Sequence, residues 1–371
     1  MKTIHVIIGT RPEAVKIAPV FLALQGKNNL RVRLISTGQH RDLLGQTLSA
    51  FGLKPFRDLK VMIPGQSLSQ LTANLLVKFE GLFGEERPDL VLAHGDTTTC
   101  YASALSCFYH SIPFFHVEAG LRTYRLDSPY PEEFNRQCVT QMASHHFTPC
   151  EQAKNHLLSE GIDPQAITVA GNTVHDAIRL MLETKNEGIA DADIIQKVSE
   201  YEKIAVLTMH RRETGSDSLS DVLTAIKQVA AREPSTAFVF PVHPNPQVKT
   251  LAEAILSGTS NVLLTPPLNY PDFLSLLSRS SLVLTDSGGV QEEAAYFGRK
   301  VLVLRDTTER NDGFAESTTK IIGTNPENVI AEISASLSGV SVRLTPDKLF
   351  SDSHRSPSQI VADVVDEKCR A

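Results

Sequence analysis

The sequence predicts an α/β protein in two domains, each built on a parallel β-sheet with helices on both faces. Short apolar runs alternate with longer segments of helical periodicity along the chain, which is typical of repeated strand–helix units. At 371 residues the chain is longer than one ordinary hydrophobic core requires, and it suits two domains of moderate size. We therefore expect two doubly wound sheets whose ligand-binding edges lie at the carboxyl ends of their strands.

The first domain contains a series of strands, each ending in a polar turn that leads into a helix. We place these strands at residues 3–9, 32–36, 90–94, 114–117 and 167–170. The first turn holds Arg11 and Lys16 beside a helix start, where two cations make an edge suited to phosphate. Solvated surface charges explain the same two residues equally well.

Three acidic residues follow later strands of this domain: Asp96, Glu118 and Glu132. In a doubly wound sheet all three lie on one rim, and acids placed together are costly unless their charges are used or paired. The pattern therefore predicts acid/base groups. Asp96 also suits a helix cap. Salt bridges are a further alternative, with the cations supplied by Arg122, Arg125 and Arg136.

The second domain repeats the alternation of strands and helices. Its strands are expected at residues 204–209, 237–241, 262–264, 282–285 and 301–304, with helices at 221–231, 246–256 and 270–277. His210 follows the first of these strands and precedes Arg211 and Arg212. Such a group suits a diphosphate, and His210 could donate a proton to a leaving phosphate near neutral pH. His243 is grouped with the ligand-facing loops of the same domain.

Residues 281–310 contain one complete strand–helix–strand unit. Its first strand ends in a Ser287-Gly288-Gly289 turn, and the helix is expected to open at Val290. Two glycines let a ligand approach the backbone closely, and the N–H groups of a first helical turn attract anions. We expect a phosphate there, with one of the two glutamates that follow reaching a ribose. The alternative is an ordinary turn in which Ser287 caps the helix.

Composition excludes several classes of function. The formal net charge is −6 and no basic stripe is present, which argues against nucleic acid and membrane surfaces as partners. No apolar run reaches membrane-spanning length and the start does not read as a signal peptide, so we expect a cytoplasmic protein. The five cysteines lack Cys-x-x-Cys spacing and are expected to be reduced thiols, mostly in the core, not a metal site. Motifs for dinucleotide binding, P-loops, zinc proteases and serine hydrolases are absent,.

Ten short segments occur in a fixed order over about residues 1–325: GTRPEAVKIAP, TGQH, HGDTTT, HVEAGLRT, SPYPEEFNRQ, GNTVHDA, HRRE, PVHPNP, TDSGGVQEEA and RDTTER. Together they resemble the non-hydrolysing UDP-N-acetylglucosamine 2-epimerase family. The resemblance implies a glycosyltransferase-B type fold, with two Rossmann-like domains facing across a cleft. The implied limits are residues 1–172 for the first domain, with a returning C-terminal helix at about 356–371, and residues 173–355 for the UDP-binding domain.

The resemblance also implies roles for individual residues. The UDP phosphates are expected on Ser287, Gly288 and Gly289, the ribose on Glu293 and the uracil near Phe273. The diphosphate is expected to face Arg11, His210 and Arg310. The implied acid/base carboxylates are Asp96, Glu118 and Glu132, with His210 as a further catalytic residue. Lys16 is expected near them, and Arg136 is counted among the substrate-binding residues.

The reaction implied by the resemblance is inversion at C2 of UDP-GlcNAc to give UDP-ManNAc, a ManNAc-type sugar donor for bacterial surface polysaccharide. UDP leaves from C1 as the C2 proton is removed, and it adds back to the 2-acetamidoglucal with protonation on the other face. No metal or nicotinamide cofactor is required. Alternatives are a hydrolysing relative that releases ManNAc and UDP, a glycosyltransferase-B type transferase that needs an acceptor, and a nucleotide-sugar sensor without catalysis.

Two further properties of the family bear on regulation and assembly. Some members bind a second, activating UDP-GlcNAc, and the matching region here contains Gln39, Gln66 and His243. Asp42 and Gly65 differ from the Gln and Arg of certain relatives, so activation is left open. The resemblance also implies a homodimer.

Overall fold

The computed structural model describes residues 1–39, 41–183, 192–209, 216–242, 245–305, 318–338 and 355–370. Contacts between Cα atoms divide the chain into two compact units. Unit 1 comprises Met1–Thr184 together with Ser353–Ala371, and unit 2 comprises Lys185–Asp352. Each unit contains its own parallel sheet, so the predicted fold class is confirmed.

The sheet of unit 1 has seven strands: β1 (Lys2–Ile8), β2 (Leu30–Ser36), β3 (Arg57–Asp58), β4 (Leu90–His94), β5 (Phe114–Val117), β6 (His145–Thr148) and β7 (Ile167–Val169). Their order is β3-β2-β1-β4-β5-β6-β7, and every neighbouring pair is parallel. Successive residues of β1 are buried, as expected for a strand covered on both faces. The strand order reverses between β1 and β4, and such a switch point is where open α/β sheets bind ligands.

The helices that cover this sheet begin with recognisable start signals. They are α1 (Arg11–Gln25), α2 (Arg41–Ala50), α3 (Leu68–Glu85), α4 (Thr98–Tyr109), α5 (Glu132–Met142), α6 (Glu151–Ser159) and α7 (Val174–Glu183). Thr10 and Glu13 form a capping box at α1, Ser67 and Gln70 form another at α3, and Thr97 caps α4. These polar caps satisfy N–H groups that a helix start leaves without partners.

Unit 2 repeats the architecture with a six-stranded parallel sheet. Its strands are β8 (Lys203–Thr208), β9 (Thr236–Pro241), β10 (Val262–Thr265), β11 (Leu282–Thr285), β12 (Lys300–Val303) and β13 (Thr319–Ile321). Its described helices are α8 (Ala192–Val198), α9 (Ser216–Arg232), α10 (Pro246–Leu256), α11 (Tyr270–Arg279), α12 (Gly288–Tyr296) and α13 (Pro326–Ser338). The order β10-β9-β8-β11-β12-β13 places the switch point between β8 and β11.

A C-terminal helix, α14 (Pro357–Arg370), returns to unit 1 and packs against α1 and α7. The Asp176 carboxylate in α7 accepts hydrogen bonds from Ser358 N (2.7 Å) and Ser358 Oγ (2.6 Å). Asn29 donates to Asp366 at 2.6 Å, and Lys27 pairs with Asp363. These contacts place α7 in unit 1, whereas the sequence analysis began the second domain at residue 173.

Two properties of the described residues bear on the compositional arguments. Cys100 and Cys107 are buried, as predicted for core thiols, whereas Cys138, Cys150 and Cys369 are half-buried. Among the described ranges, no helix is both long enough and apolar enough to span a membrane.

Candidate active site

The carboxyl edge of the unit 1 sheet carries charged side chains that we call the carboxylate rim: Lys16, Asp96, Glu118, Glu132 and Arg136. Lys16 lies in the helix after β1, Asp96 follows β4 and Glu118 follows β5. Glu132 and Arg136 lie in the first turns of α5. Because β1, β4 and β5 are consecutive in the sheet, the residues that follow these strands lie side by side near its switch point.

Glu118 is the most constrained residue of the rim. Its backbone φ of 65° lies in the left-handed region, which costs a residue with a side chain about 1–3 kcal/mol. The turn is fixed two residues later by Gly120, where an added Cβ would lie 2.2 Å from the Ala153 carbonyl oxygen of α6. Ala119 N also donates to Phe147 O at 3.0 Å. The fold therefore holds a strained residue at the ligand-binding edge.

The Glu118 side chain is buried beside the amino group of Lys16 and the imidazole of His94. Its Oε2 atom accepts a hydrogen bond from Lys16 Nζ and lies 3.5 Å from His94 Nε2. The side chains of Lys16 and Glu118 are only 4% and 7% exposed. Lys16 is thus a buried ion-pair partner, and the interpretation as a solvated surface charge is wrong for it.

Asp96 is held by α5. Arg136 approaches Asp96 Oδ2 through Nε at 2.9 Å and Nη2 at 2.7 Å, while Asn135 Nδ2 donates to the Asp96 carbonyl at 2.8 Å. Thr97, not Asp96, caps α4, so the capping interpretation of Asp96 is wrong. The salt-bridge interpretation is confirmed for Asp96 with Arg136.

The other two arginines of the salt-bridge alternative pair elsewhere. Arg122 donates to both carboxylate oxygens of Glu160 at 2.7 Å, and Arg125 pairs with Asp127 at 3.2 Å. Neither of these arginines therefore pairs with Glu118, which has Lys16 as a cationic partner.

Glu133 anchors the loop that leads into α5. Its carboxylate accepts hydrogen bonds from the backbone N–H groups of Thr123 and Tyr124 and from the side chains of Arg136 and Gln137, all at 3.0 Å. Burial opposes ionisation, but the Gln137 and Thr123 hydrogen bonds and the Arg136 charge together lower the pKa of Glu133. Its neighbour Glu132, the first residue of α5, is half-buried where the helix dipole favours a carboxylate.

Arg11 and Glu13 form the start of α1. Arg11 is its first residue and is half-buried. Glu13 is 1% exposed and accepts from Gly9 N (2.9 Å), Thr10 N (2.7 Å) and Thr97 Oγ1 (2.7 Å), and burial raises its pKa. The sequence analysis missed Glu13, although Thr10 and Glu13 have capping-box spacing.

Histidines near the rim were also missed. His94, the last residue of β4, is 4% exposed, and His116 in β5 lies 2.7 Å from the Gly95 carbonyl through Nε2. Burial lowers the pKa of His116 to about 4. Burial likewise lowers the pKa of His175 in α7 to about 4, with a further contribution from the Lys16 charge. Strand-end position was the signal available for His94 in the sequence.

The Ser287-Gly288-Gly289 turn lies at the switch point of the unit 2 sheet. Helix α12 begins at Gly288, two residues earlier than predicted, because both glycines are part of its first turn. Ser287 occupies the cap position, but its side chain makes no capping hydrogen bond, so the helix-capping alternative is wrong. The ends of strands β11 and β8 hold the turn in place. Ser287 N donates to Thr285 Oγ1 at 3.0 Å, and Thr285 Oγ1 lies 2.6 Å from Thr208 Oγ1.

Side chains around this turn are buried. Glu293 is 8% exposed and Phe273 is 6% exposed. Phe273 lies in α11 and belongs to the core cluster that includes Leu276, Val283 and Ala294. An added Cβ on Gly289 would meet nothing closer than Ser287 Oγ at 4.0 Å, so glycine is not required there by the fold itself.

The remaining predicted residues divide between described and undescribed parts of the chain. Gln39 Oε1 accepts from Thr99 Oγ1 at 3.0 Å, which places Gln39 beside the rim at the end of β2. Gln66 precedes α3 and donates to Met62 Sδ at 3.5 Å. Outside the described residues lie His210, His243 and Arg310.

A family model described as UDP-N-acetylglucosamine 2-epimerase matches residues 22–360. The chain belongs to this epimerase family. A UDP-N-acetylglucosamine 2-epimerase of Neisseria meningitidis serogroup A is 42% identical over 327 residues, which cover 87% of this chain and 88% of the relative. Arg11 and Lys16 precede the matched span, so their place in the site depends on the contacts above.

Solved structures agree with this membership. The crystal structure of UDP-GlcNAc 2-epimerase from Neisseria meningitidis bound to UDP-GlcNAc superposes with a TM-score of 0.87 at 38% identity and covers 100% of both chains. A spinosyn rhamnosyltransferase has a TM-score of 0.60 at 14% identity over 98% of this chain and 100% of its own. That likeness concerns the fold alone, and it agrees with the glycosyltransferase-B type.

Proposed function

We propose that the protein is a UDP-N-acetylglucosamine 2-epimerase that interconverts UDP-GlcNAc and UDP-ManNAc by elimination and re-addition of UDP. The observation that carries this proposal is Glu118, a buried carboxylate in strained backbone, paired with Lys16 at the sheet's switch point. Strained backbone and buried ionisable groups concentrate at functional sites. The membership of the family supplies the reaction, and this residue supplies a group suited to it.

The reaction sets specific demands on the site. The C2 hydrogen has no neighbouring carbonyl, so its proton leaves as the C1–O bond to UDP breaks. The C–H electron pair forms the C1–C2 double bond of 2-acetamidoglucal, and UDP departs with the C1–O pair. In the return step a UDP oxygen attacks C1 and C2 receives a proton on the opposite face. Inversion therefore needs a proton-transfer group on each face of the ring.

The carboxylate rim supplies candidates for both faces. In our proposal Asp96, Glu118 and Glu132 transfer protons and tolerate the positive charge that develops at C1. Lys16 pairs with Glu118 and fixes its position, and Arg136 fixes Asp96. His210, which lies outside the described residues, would protonate the departing phosphate.

The Ser287-Gly288-Gly289 turn supplies an anion site in the same proposal. The N–H groups of the first turn of α12 and the positive end of its dipole favour phosphate. The Ser287 hydroxyl is not used as a helix cap, which leaves it available to donate to a phosphate oxygen. Glu293 would bind the ribose, Phe273 would lie beside the uracil, and Arg11 and Arg310 would face the diphosphate.

Proton NMR in heavy water tests the proposal. With purified protein and UDP-GlcNAc, UDP-ManNAc should appear and both epimers should gain deuterium at C2, because the removed proton is replaced from solvent. Product without deuterium at C2 would contradict the elimination mechanism. Free ManNAc with an equal amount of UDP would identify the hydrolysing alternative, and turnover only with an acceptor would identify a transferase.

We further propose that the enzyme works as a homodimer through the outer faces of α3, α4 and α5, here called the three-helix face. Its apolar side chains are exposed: Val77 67%, Phe108 64%, Tyr109 68% and Phe134 45%. Helix α4 contains no charged residue, so a second copy would bury no unpaired charge against it.

The dimensions of the three-helix face suit a dimer. Helices α3, α4 and α5 have 18, 12 and 11 residues, or lengths of about 27, 18 and 17 Å. At a spacing of about 9 Å they cover roughly 550 Å² in projection. A standard interface buries about 800 Å² of accessible surface per partner, and accessible surface exceeds projected area because side chains protrude. Light scattering should give a dimer for the wild type and a monomer for Val77→Arg. The control is Ile321→Arg, which changes an exposed apolar residue of unit 2 outside the three-helix face and should remain a dimer. A monomeric wild type would contradict this part of the proposal.

A further inference from the structure

A row of four buried ionisable groups crosses the switch point of unit 1: Glu13, His94, Glu118 and Lys16. Their exposed fractions are 1%, 4%, 9% and 3%. His94 Nε2 lies 3.5 Å from Glu118 Oε2, and His94 is close enough to Glu13 for its charge to act on that carboxyl. Within the described part of the chain, no hydrogen bond reaches His94 Nε2. A buried imidazole nitrogen is therefore directed at the carboxylate assigned to proton transfer.

The charges of this row depend on where one proton resides. When Glu118 has taken a proton, the negative charge beside Lys16 is lost and Glu13 lies beside a neutral imidazole. When the proton moves to His94, the charges along the row alternate in sign: Glu13 is negative, His94 positive, Glu118 negative and Lys16 positive. Each buried charge then has an opposite neighbour. Because opposite charges a few ångströms apart attract strongly in a buried site, the alternating arrangement is favoured.

We propose that His94 is a positioning residue that accepts the proton captured by Glu118 and so restores the Glu118 carboxylate while the glycal is bound. In the transfer the O–H bond of the Glu118 carboxylic acid breaks, its electron pair stays on oxygen, and an N–H bond forms at His94 Nε2. In the reverse epimerisation, transfer from His94 back to Glu118 supplies the proton for C2 on the face that Glu118 serves. This inference rests on the proposed epimerase function and assigns a role to a residue that the mechanism above does not use.

The groups that face His94 come from two packed elements. Helix α1 contributes Glu13, and β5 with the turn after it contributes His116 and Glu118. Of these, the two carboxylates attract a charged imidazole and a protonated His116 repels it, while Lys16 acts through its pair with Glu118. Glutamine at position 94 keeps a polar amide but cannot take a proton, so it separates the proposed role from simple packing.

Kinetics of His94→Gln test the proposal. General acid–base groups contribute about 10²–10⁴-fold, and we expect kcat to fall by about 10²-fold or more while KM stays within about threefold. The pH dependence of kcat should also change in shape, whereas a merely structural role would leave it as in the wild type. His110→Gln is the matched control, since His110 Nδ1 lies 2.8 Å from Ser106 O at the end of α4, away from the rim, and should leave both quantities unchanged. A His94→Gln enzyme with wild-type kcat and pH profile overturns the proposal.

A second measurement does not depend on activity or on a substitution at His94. In ¹⁵N-histidine NMR of the full chain, one of the 12 histidines should titrate at lower pH in Glu118→Gln than in wild type, because the neutral amide no longer favours the imidazolium. Unchanged midpoints for every histidine overturn the proposal. Failure of the wild type to epimerise would instead contradict the proposed function. The histidine NMR measurement needs no turnover, so its outcome would still test the contact between Glu118 and His94.

Discussion

The carboxylate rim of unit 1 and the Ser287 turn of unit 2 occupy equivalent places, each at the switch point of a parallel sheet. The chemistry they present is different. The rim consists of ionisable side chains that are buried or half-buried, and four of them form two ion pairs, Lys16 with Glu118 and Asp96 with Arg136. The turn presents backbone N–H groups, two glycines and a hydroxyl that caps nothing.

In the proposed mechanism this difference separates two tasks. Proton transfer requires side chains whose protonation state can change, and the rim holds such groups in fixed positions. Binding a diphosphate requires only fixed positive potential, and a helix start supplies it without a titratable group. Substitutions that remove a charge should therefore impair chemistry at the rim, whereas substitutions that add bulk should impair binding at the turn.

The largest effect is expected for Glu118→Gln. The amide keeps the shape of the side chain but cannot accept the C2 proton, so kcat should fall by about 10³-fold or more, within the range known for general acid–base groups. Affinity for UDP should stay within about threefold, because the proposed anion site lies in unit 2. Steady-state kinetics and calorimetric titration with UDP measure the two effects.

Glu160→Gln is the control for this substitution. Glu160 pairs with Arg122 and its side chain is 22% exposed, so the variant also breaks an ion pair of unit 1, but away from the rim. Its kcat should stay within about twofold of wild type. Equal losses in the two variants would show that Glu118 acts through stability alone.

The second effect is expected for Gly289→Ala. A Cβ at this position has open space and alanine is favoured over glycine in a helix by about 1 kcal/mol, so folding should not suffer. The added methyl group occupies the surface that phosphate oxygens must approach, and we expect the Kd for UDP to rise by about tenfold or more, or about 1.4 kcal/mol.

Gly45→Ala provides the matched control for Gly289→Ala. Gly45 lies in α2 with no atom within 4 Å of an added Cβ. The same gain in helix propensity is expected there without any change in UDP affinity. If Gly289→Ala binds UDP as tightly as Gly45→Ala does, the anion site is not at this turn.

The sequence was sufficient to predict the fold class and most of the rim. Alternating apolar runs and helical segments identified both sheets, and strand-end positions identified Asp96 and Glu118, since the carboxyl ends of parallel strands share one edge. The start of α12 was placed two residues late, because glycines are usually poor helix formers and the first turn of this helix contains two of them.

The partners of the rim residues could not be predicted from the sequence. The pair of Lys16 with Glu118 spans 102 positions in the chain, and three arginines were equally placed to pair with the acids. Tertiary packing decides among them, as the pairing of Arg122 with Glu160 shows. The role proposed for His94 was also missed. A histidine at a strand end more often has a structural role than a functional one, and its distance from Glu118 is set by tertiary packing.

The third effect concerns His146, a buried histidine in β6 of the unit 1 sheet. Burial lowers the pKa of His146 to about 3, below its ordinary 6.5. The folded state thus binds fewer protons than the unfolded state, and this stability is present above pH 6.5 and is lost as the pH falls toward about 3. At pH 5 the loss is about 2 kcal/mol. Urea unfolding at pH 7 and pH 5 should show a smaller difference for His146→Gln than for wild type, and an equal difference would contradict the assignment.

The smallest effect concerns Glu133 and Glu13, two carboxyls beside the rim with opposite pKa shifts. Hydrogen bonds from Gln137 and Thr123 and the charge of Arg136 outweigh burial and lower the pKa of Glu133, whereas burial raises the pKa of Glu13. Glu133 therefore contributes stability above its unfolded pKa that is lost as the pH falls through its folded pKa. Glu13 contributes stability below its unfolded pKa that is lost as the pH rises through its folded pKa. Across pH 3–7, Glu133→Gln should make the free energy of unfolding rise less steeply with pH, and Glu13→Gln should make it rise more steeply. Changes of the same sign in both variants would show that hydrogen-bond geometry, not protonation, determines their effects.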